Sequence, residues 1–342
     1  MNRDITYGDS MKIEGAIYVD VRSPKEFMED HIPGAVNLPI LDDDQRKIVG
    51  TLYKQQGKEE ASKKGVELVL PVLGGKLEQL RQLENQGTLV LYCWRGGLRS
   101  KSMSDLAAAA GIEVKRIKGG YKEYRKYVMQ EFEQLKLPPF YSLYGLTGTG
   151  KTEIIEILEK RGVYTLNLEK YANHRGSVFG SVGLGEQPSQ KHFDSVLLRE
   201  LQQIPVDAPT IIEGESSRIG KLFIAKNVFT HLLNSNKILV YDSVENRAKR
   251  IIKEYTKIQS NEELIQAVSF LGRRIGKQKV NQFVEAIEKE EYQQVVEELL
   301  IKYYDPLYNH PSKPSDEYFA SVCSADVEKA ADSIQQLLHK GE

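Results

Sequence analysis

Cysteine and tryptophan are scarce in this sequence of 342 residues, which contains two cysteines and one tryptophan. Cys93 and Cys323 lie far apart and in no metal-like spacing, which argues against a disulfide framework and favours a reducing compartment. No apolar run approaches the roughly 18 residues that a membrane-spanning helix needs, and the N-terminus lacks an apolar signal core. From these absences we expect a cytoplasmic protein without membrane contact.

An excess of charge of one sign is also missing, since the formal net charge is −1. A chain without a global basic field binds nucleic acid only through a local basic patch. The residues that are present are ordinary for a globular protein, with 40% hydrophobic and 28% charged. A chain of this length is expected to form two domains, or at most three.

Short apolar runs alternate with helical patterns along the first part of the chain, which predicts an α/β domain with a mainly parallel sheet. The two prolines of Leu137-Pro138-Pro139 mark its end, because proline cannot continue a helix. We therefore predict a first domain over residues 1–137 and a second α/β domain over residues 138–342. Within the second domain, residues 243–312 are expected to be mainly helical.

The most informative stretch of the first domain surrounds Cys93. Residues 88–92 predict a buried strand, and a glycine pair then precedes an alanine-rich helical segment. The amides of such a turn and the positive end of the helix favour a thiolate, while Arg95 and Arg99 add positive charge. The pattern indicates a nucleophilic or sulfur-carrying cysteine. The alternative is a cysteine that simply ends a buried strand.

Other segments of the first domain are D-V-R-S-P-K-E-F, H-I-P-G-A-V-N-L-P and the Gly119-Gly120-Tyr121 turn. Together with the cysteine loop they resemble a rhodanese domain over residues 11–132. This resemblance implies a cysteine that carries sulfur as a persulfide, or its selenium analogue, in a cradle of loop amides. It also implies structural roles for Asp20 and Arg22 as hydrogen-bonding residues and for His31 as a turn-stabilising residue.

The spacing from Cys93 to Arg99 is C-x5-R, one residue longer than in many sulfur-carrying relatives. The same spacing occurs in the phosphatase and arsenate-reductase branch of the fold, whose loop holds an oxyanion. Tyr92, Trp94 and the glycine pair differ from that branch, and the loop has no acid to protonate a leaving group. The spacing therefore predicts only that the loop accommodates something larger than one sulfur atom.

A complete phosphate-binding motif, G-x-x-x-x-G-K-T, opens the second domain between a predicted strand and a predicted helix. Its glycines let backbone N–H groups face the phosphates, Lys151 reaches the outer oxygens, and Thr152 could hold a Mg²⁺ ion. The predicted phosphate-binding residues are Gly145, Thr147, Gly148, Thr149, Gly150, Lys151 and Thr152.

Two further parts of the second domain are rich in polar loop residues. One is a glycine-rich segment after residue 170, and loops of this kind carry sites more often than cores do. The other follows a short apolar strand, where a P-loop protein places the carboxylate that organises its metal. The candidate site residues are His174, Arg175, Ser177, Glu213, Glu215 and Arg218. For each of them a solvated loop residue is the alternative.

Basic residues cluster twice in the helical region. Arg247 and Arg250 are three positions apart and share one helix face, and Arg273 and Arg274 are adjacent. Either cluster could form a lid over phosphates or contact the backbone of a nucleic acid such as tRNA. The alternative for each residue is a solvated helix face.

The combination of C-W-R-G-G-L-R-S, G-L-T-G-T-G-K-T, H-R-G-S-V-F-G, Q-P-S-Q and E-G-E-S-S-R resembles the bacterial tRNA 2-selenouridine synthases over nearly the whole chain. The resemblance implies that selenium from selenophosphate replaces the sulfur of 2-thiouridine at the wobble position of tRNA. It also implies an S-geranyl intermediate made from geranyl diphosphate, and no tightly bound cofactor. Cys93 would hold selenium as a selanyl-cysteine, with Arg95 and Arg99 stabilising the anion or admitting selenophosphate.

Two other functions stay open at this point. One is a rhodanese-type sulfurtransferase coupled to NTP-dependent thiolation of tRNA, and the other is a regulatory module with the P-loop as a nucleotide switch. Whether the P-loop binds a nucleotide or only a prenyl diphosphate is equally open. Gly214 stands between two glutamates where the family often has an acid, so the carboxylate that organises a metal is not assigned.

Overall fold

The computed structural model of the chain describes residues 3–175, 184–255, 261–308 and 310–339. The chain divides into two compact units. The first comprises Met1–Gln134 together with Asp194–Leu198, and the second comprises Leu135–Phe193 together with Arg199–Glu342.

The first unit contains a five-stranded sheet. Its strands are β1 (Asp4–Ile5), β2 (Ala16–Asp20), β3 (Val36–Asn37), β4 (Thr88–Tyr92) and β5 (Val114–Ile117). They lie in the order β1-β5-β4-β2-β3, and every neighbouring pair is parallel. The last four residues of β4 are buried, as expected for a central parallel strand with both faces covered. Cys93 follows directly after this strand.

Helices connect and cover these strands. They are α1 (Tyr7–Ser10), α2 (Pro24–Glu29), α3 (Asp43–Gln55), α4 (Lys58–Val69), α5 (Leu73–Glu84), α6 (Leu98–Ala109) and α7 (Tyr121–Gln134). A 3-10 turn, Leu70–Val72, separates α4 from α5. Pro71 lies in this turn, and its missing N–H and fixed φ account for the break. The core between the helices and the sheet includes Leu80, Leu91 and Met103, all fully buried.

The second unit contains another five-stranded parallel sheet and a short antiparallel hairpin. The sheet strands are β6 (Phe140–Tyr144), β7 (Thr165–Leu166), β8 (Thr210–Glu213), β11 (Asn236–Tyr241) and β12 (Ala320–Cys323), and the hairpin strands are β9 (Arg218–Ile219) and β10 (Leu222–Phe223). The sheet order is β12-β11-β6-β8-β7. β6 is therefore central, and the phosphate-loop motif begins at its carboxyl end, the edge at which open α/β sheets bind ligands.

Helices pack on both sides of the second sheet and continue into a helical region. They are α8 (Lys151–Lys160), α9 (Leu168–Ala172), α10 (Gln190–Gln202), α11 (Lys226–Leu233), α12 (Val244–Tyr255), α13 (Asn261–Phe270), α14 (Gly272–Ile275), α15 (Lys277–Glu288), α16 (Tyr292–Leu299) and α17 (Val327–His339). A π-helical turn, Leu300–Tyr304, and a 3-10 turn, Asp305–Leu307, follow α16. The apolar stripe of α15, with Val280, Phe283 and Ile287, is buried in the core of this region.

The predicted α/β class with parallel sheets is confirmed for both units. Cys323 is exposed at the end of β12. No helix among the described residues is both long and apolar enough to cross a membrane.

Candidate active sites

The first candidate site is the loop between β4 and α6, which carries Cys93. The side chain of Cys93 is almost fully buried, and its sulfur lies 3.2 Å from the hydroxyl oxygen of Ser100. The carbonyl oxygen of Gly97 lies 4.0 Å from the same sulfur. Ser100 lies in the first turn of α6, so one hydroxyl from the helix start fixes the direction of the thiol.

Three carbonyl groups of this loop are held by residues that follow in the chain. The carbonyl of Cys93 accepts from the N–H of Tyr121 at 2.8 Å, and that of Trp94 accepts from the N–H of Lys122 at 3.0 Å. The carbonyl of Gly96 accepts from the guanidinium of Arg116 at 2.5 Å. Tyr121 and Lys122 begin α7, so N–H groups that a helix start leaves unpaired are satisfied by the cysteine loop.

These contacts fix the direction of the loop amides. In a trans peptide the N–H points opposite to the carbonyl that precedes it. The amides of Trp94 and Arg95, which follow the carbonyls of Cys93 and Trp94, are therefore turned away from α7, and the amide of Gly97 is turned away from Arg116. Within the described residues, the N–H groups of Arg95, Gly96 and Gly97 donate no hydrogen bond. Together with the unpaired N–H groups of the first turn of α6, they form a site suited to an anion.

The glycine turn before α7 makes this close approach possible. A Cβ atom at Gly120 would lie 2.1 Å from the carbonyl oxygen of Cys93 and 2.5 Å from the nitrogen of Gly96. Gly120 also has a φ of +62°, in the left-handed region. The Gly119-Gly120-Tyr121 segment therefore serves as the support on which the cysteine loop rests.

The two arginines predicted beside Cys93 have different surroundings. Arg95 is exposed and makes no hydrogen bond or ion pair within the described part of the chain. Arg99 forms two hydrogen bonds to the carboxylate of Glu26 on α2, at 2.5 and 3.2 Å. Burial acts to raise the pKa of Glu26, but the hydrogen bond and charge of Arg99 outweigh it, so the pKa is lowered. The charge of Arg99 is thus already compensated, and Arg95 is the one of this pair that can meet an anion.

Asp20 and Arg22 form a fully buried ion pair, with 2.6 Å between Arg22 Nη2 and Asp20 Oδ2. The guanidinium of Arg22 lies 4.0 Å from the ring centroid of Tyr121 and donates to the carbonyl of Asp30. His31 contacts the carbonyl of Phe27 through Nδ1 at 2.9 Å. These contacts agree with the structural roles expected for Asp20, Arg22 and His31.

The second candidate site is the phosphate loop, residues 145–150, between β6 and α8. Lys151 folds back over the loop and donates to the carbonyl of Gly145 at 3.0 Å. Thr149 is buried and donates to the carbonyl of Leu146 at 2.9 Å. Thr149 therefore shapes the loop. A bound phosphate oxygen would replace the carbonyl of Gly145 as the acceptor of the hydrogen bond from Lys151.

Two arginines of α12 hold the outer side of this loop. Arg247 donates to the carbonyl of Thr147 at 2.8 Å, and Arg250 donates to that of Gly148 at 2.8 Å. Arg247 is fully buried and forms two further hydrogen bonds to Asp305, at 3.0 and 2.5 Å. Arg250 also pairs with Asp242 at 2.8 Å.

This arrangement corrects one expectation. We expected Arg247 to form a lid or a tRNA contact, but a fully buried guanidinium bonded to a carboxylate and a loop carbonyl cannot serve as a surface contact. Arg247 and Arg250 are three residues apart on one face of α12, and this face contacts the phosphate loop and not solvent. Arg273 and Arg274 lie on α14, and their side chains are outside the described part of the structure.

Acidic residues from two elements meet at the hydroxyl of Thr152. The hydroxyl oxygen lies 2.9 Å from Glu169 Oε2 and 3.3 Å from Glu213 Oε1, so its single proton is donated to one of them at a time. The N–H of Glu169, at the start of α9, donates to Glu213 Oε2 at 2.8 Å. Glu215 joins this group because the N–H of Glu215 donates to the carbonyl of Glu213 at 3.0 Å, which makes a tight turn at Gly214.

Burial and mutual repulsion oppose ionisation in this acidic group. The pKa of Glu213 lies well above its usual value, first because of burial and then because of the charges of Glu169 and Glu215. Burial and Glu169 raise the pKa of Glu215 to about 7, against the opposing effect of Lys151. A cation beside Thr152 would relieve this repulsion, and hard carboxylate and hydroxyl oxygens are the ligands that Mg²⁺ prefers.

The donor set around Thr152 therefore fits Mg²⁺. Among the residues that the structure describes, no group of three or more acidic, histidine or cysteine side chains is arranged to enclose a metal ion by itself. Mg²⁺ usually keeps several waters and binds through one or two carboxylates together with substrate phosphates. Mg²⁺ at Thr152 stays a prediction.

The Q-P-S-Q segment contacts the hairpin β9–β10, which follows the acidic turn. The side chain of Gln187 accepts from the N–H of Lys221 at 2.8 Å and donates to the carbonyl of Ile219 at 3.2 Å. Gln190 accepts from the N–H of Phe223 and donates to its carbonyl, both at 2.8 Å. The two amides hold the hairpin backbone as a neighbouring strand would, so this motif has a structural role.

The remaining predicted residues surround these elements. Arg218 is exposed and donates to the carbonyl of Gly220 within its own hairpin. His174 is buried after α9, and burial together with the charge of Arg175 lowers its pKa, so its ring is neutral near pH 7. Arg175 is half-buried, and Ser177 lies outside the described residues.

Several residues of both sites were not predicted from the sequence. Arg116 and Glu26 contact the cysteine loop, and Glu169 and Asp305 support the phosphate loop. Each reaches its site from a distant element, and single charged residues on strands and helices give no local pattern. Glu169 alone stood in a segment with an unusual concentration of polar side chains.

Comparisons with known proteins agree with this arrangement. A family model described as "tRNA 2-selenouridine synthase AAA domain" matches residues 138–340. A second, described as "Rhodanese-like domain", matches residues 7–127.

Curated relatives extend the similarity to nearly the full length. The tRNA 2-selenouridine synthase of Nitrosomonas europaea is 34% identical, over 98% of this chain and 86% of its own. Those of Shewanella woodyi and Pseudomonas putida strain GB-1 are each 31% identical, over 93% and 98% of this chain and 94% and 96% of their own. Both the thiol loop and the phosphate loop lie within the matched regions. The chain therefore belongs to the tRNA 2-selenouridine synthase family.

Proposed function

We propose that this chain replaces the sulfur of 2-thiouridine at the wobble position of tRNA with selenium. The observation that carries the proposal is the presence, in one chain of this family, of a thiol in an anion-accepting loop and a separate phosphate loop. The relatives named tRNA 2-selenouridine synthase cover nearly the whole chain, so both sites belong to the compared region. The partner is a tRNA with 2-thiouridine in its anticodon.

The first step of the proposal makes the sulfur a leaving group. The thiocarbonyl sulfur attacks the first carbon of geranyl diphosphate, the carbon–oxygen bond breaks, and its electron pair leaves with the diphosphate. The base loses its N3 proton, and S-geranyl-2-thiouridine results. The phosphate loop suits this step because loop amides and the ammonium of Lys151 would stabilise the charge of the departing diphosphate.

Side chains next to the phosphate loop suit a bound Mg²⁺. Thr152, with Glu169 and Glu213 hydrogen-bonded to it or to each other, would hold the ion. The ion would supply positive charge to the diphosphate. Arg247 and Arg250 act from the other side, since they fix the loop carbonyls and thereby the direction of the loop amides.

The second step of the proposal uses the loop of Cys93. Selenophosphate is larger than one sulfur atom, as the C-x5-R spacing predicts for the ligand of this loop, and Arg95 and the loop amides are available to it. Selenium enters at the carbon that bears the S-geranyl group, and geranylthiol leaves.

Selenium could be delivered to the base from a selanyl-cysteine or directly from selenophosphate, and the two routes differ in their need for redox partners. Selenium in selenophosphate is at the oxidation level of selenide. Loading it onto the Cys93 thiol as a selanyl-cysteine would require a disulfide as two-electron oxidant, and its release as selenide would require two electrons from a thiol reductant. Selenium delivered as selenophosphate needs only water to release phosphate. Omitting small thiols from the reaction distinguishes the two routes.

The experiment follows nucleosides by mass spectrometry after incubation of thiolated tRNA with the purified protein. Geranyl diphosphate alone is expected to give S-geranyl-2-thiouridine, and added selenophosphate is expected to convert it to 2-selenouridine. Lys151→Ala should lose the geranyl step, while Lys160→Ala, at the exposed far end of α8, should keep it.

Two results would contradict the proposal. One is formation of 2-selenouridine at the full rate without geranyl diphosphate. The other is tRNA thiolation that requires a persulfide donor and consumes ATP, which would identify a sulfurtransferase coupled to NTP hydrolysis.

A further inference from the structure

Four aromatic side chains lie together beside the phosphate loop, and no step described so far uses them. We name Tyr144, Tyr308, His310 and Tyr318 the aromatic cluster. The ring of His310 is tilted against that of Tyr144, with 5.3 Å between centroids, and it is nearly parallel to that of Tyr308 at 6.4 Å. Tyr318 meets His310 edge-on at 6.5 Å. All four rings are half-buried, so each keeps part of its surface accessible.

The cluster is adjacent to the groups that would meet a diphosphate. Tyr144 is the last residue of β6 and directly precedes the phosphate loop, and Tyr308 directly follows the turn in which Asp305 pairs with Arg247, which donates to the loop carbonyl of Thr147. Burial first, and then the positive charges of Lys151 and Lys237, lower the pKa of His310, which leaves its ring neutral.

Gly214, in the turn between the two glutamates, borders the aromatic cluster on one side. A Cβ atom at Gly214 would lie 2.7 Å from carbon atoms of the Tyr144 ring. A side chain at position 214 would displace that ring. Gly214 thus permits the ring of Tyr144 to lie against the acidic turn.

One pair of polar atoms in the cluster is already used. The hydroxyl of Tyr318 is 2.9 Å from Nδ1 of His310, so these two side chains are hydrogen-bonded to each other. The faces of the four aromatic rings are the surface that the cluster offers to a ligand. Such a surface suits an unsaturated hydrocarbon.

We propose that the aromatic cluster binds the allylic hydrocarbon chain of a prenyl diphosphate whose diphosphate lies on the phosphate loop. The inference rests on the proposed function and adds the residues that recognise the hydrocarbon. When the bond between the first carbon and oxygen breaks, positive charge develops on the allylic carbons and the electron pair leaves with the diphosphate. Aromatic faces stabilise such charge, as they do that of other cations. The sulfur of thiouridine then forms the new bond.

The test compares geranyl diphosphate with inorganic diphosphate as ligands in isothermal titration calorimetry of the full chain. The unaltered protein is expected to bind geranyl diphosphate at least roughly tenfold more tightly, because of the buried hydrocarbon. Tyr308→Ala and His310→Ala should each reduce the affinity for geranyl diphosphate by roughly tenfold and leave that for inorganic diphosphate within about twofold. Tyr308→Phe, which keeps the ring, should retain most of the preference.

Tyr164→Ala is the matched control, since Tyr164 is an exposed tyrosine before β7 and outside the cluster. Retained binding of inorganic diphosphate also shows that each variant is folded. Equal losses for both ligands would overturn the inference, because the rings would then act only through the phosphate loop.

Two other results separate this inference from the proposed function. If inorganic diphosphate binds in a Lys151-dependent way but the geranyl chain adds no affinity, the inference fails and the phosphate site stands. If neither ligand binds and no S-geranyl nucleoside forms, the proposed function fails as well. If Tyr308→Ala and His310→Ala lose affinity only for a thiolated anticodon stem-loop and not for geranyl diphosphate, the cluster binds a base and the inference is overturned.

Discussion

The guanidinium of Arg116 donates a hydrogen bond of 2.5 Å to the carbonyl oxygen of Gly96 and so connects β5 to the loop that carries Cys93. Arg116 is itself held by Asp4 of β1 through hydrogen bonds of 2.7 and 2.6 Å. The chain Asp4–Arg116–Gly96 therefore extends from the edge strand to the loop amides. It fixes one peptide of the anion site without touching the thiol.

Replacing Arg116 should impair selenium transfer and leave geranylation unchanged. Arg116→Leu removes a charged hydrogen bond of about 1.5–3 kcal/mol, so the selenium step is expected to slow by roughly tenfold or more. Single-turnover conversion of S-geranyl-2-thiouridine measures this step. Arg81→Leu is the matched control, because Arg81 also donates to a backbone carbonyl, that of Ala110, away from the loop. Equal rates in both variants would refute a positioning role for Arg116.

Charge removal at Glu26 should have a pH-dependent effect on stability. Pairing with Arg99 lowers the pKa of Glu26 in the folded state. The pair therefore stabilises the fold above the pKa of the free carboxyl, and this contribution is lost as the pH falls through the folded-state value. Glu26→Gln should lower the unfolding midpoint at pH 7 by roughly 2–4 °C, for about 1 kcal/mol.

The measurement is thermal unfolding of both proteins between pH 7 and pH 3. The difference between them should become smaller as the pH falls, because the folded-state carboxylate is progressively protonated. Glu59→Gln serves as the control, because Glu59 forms an exposed pair with Lys63 and solvent screens it. If the difference in unfolding midpoint between the unaltered protein and Glu26→Gln stays constant with pH, the carboxylate charge contributes nothing to stability.

Loss of Asp305 should destabilise the second unit strongly. Asp305→Ala leaves the fully buried Arg247 without its carboxylate, and an uncompensated buried charge costs about 3–5 kcal/mol. Calorimetric unfolding should show this loss, and the affinity for inorganic diphosphate should fall because Arg247 also holds Thr147. Lys302→Gln, in an exposed pair with Glu298, should change stability by less than about 1 kcal/mol. A loss for Asp305→Ala no larger than that would contradict the account.

Gln190 should protect the hairpin β9–β10 from hydrogen exchange. The N–H of Phe223 donates to the side chain of Gln190 at 2.8 Å, so Gln190→Ala should raise the exchange rate at this amide. Mass spectrometry of a peptide containing residues 216–224 measures the effect. Gln202→Ala, at the end of the same helix, should leave this peptide unchanged. Unchanged exchange in the Gln190 variant would mean that the hairpin is held by other contacts.

The two loops could be predicted from the sequence because their chemistry lies in consecutive residues. Cys93 with its glycine pair, and Lys151 with its glycines, each combine a strand, a tight turn and a helix start. Both predicted strands precede their loops in the structure, and both helices follow. Local sequence determines such turns, since glycine and the helix start act over a few residues.

The supporting residues could not be predicted because they come from distant elements. Arg247 meets a carboxylate 58 positions away, and only the folded chain shows that this pair is buried. The helical spacing of Arg247 and Arg250 is equally compatible with a solvated face and with contact to a loop. Arg99 raised the same difficulty, since its partner Glu26 lies 73 positions away.

In the proposed reaction, selenium transfer depends on Cys93 and geranylation does not. The most direct measurement is the nucleoside content of thiolated tRNA after reaction with Cys93→Ala and with Cys323→Ala, which replaces the exposed cysteine. We predict that Cys93→Ala forms S-geranyl-2-thiouridine but no 2-selenouridine, while Cys323→Ala forms both. Normal 2-selenouridine from Cys93→Ala would contradict the claim.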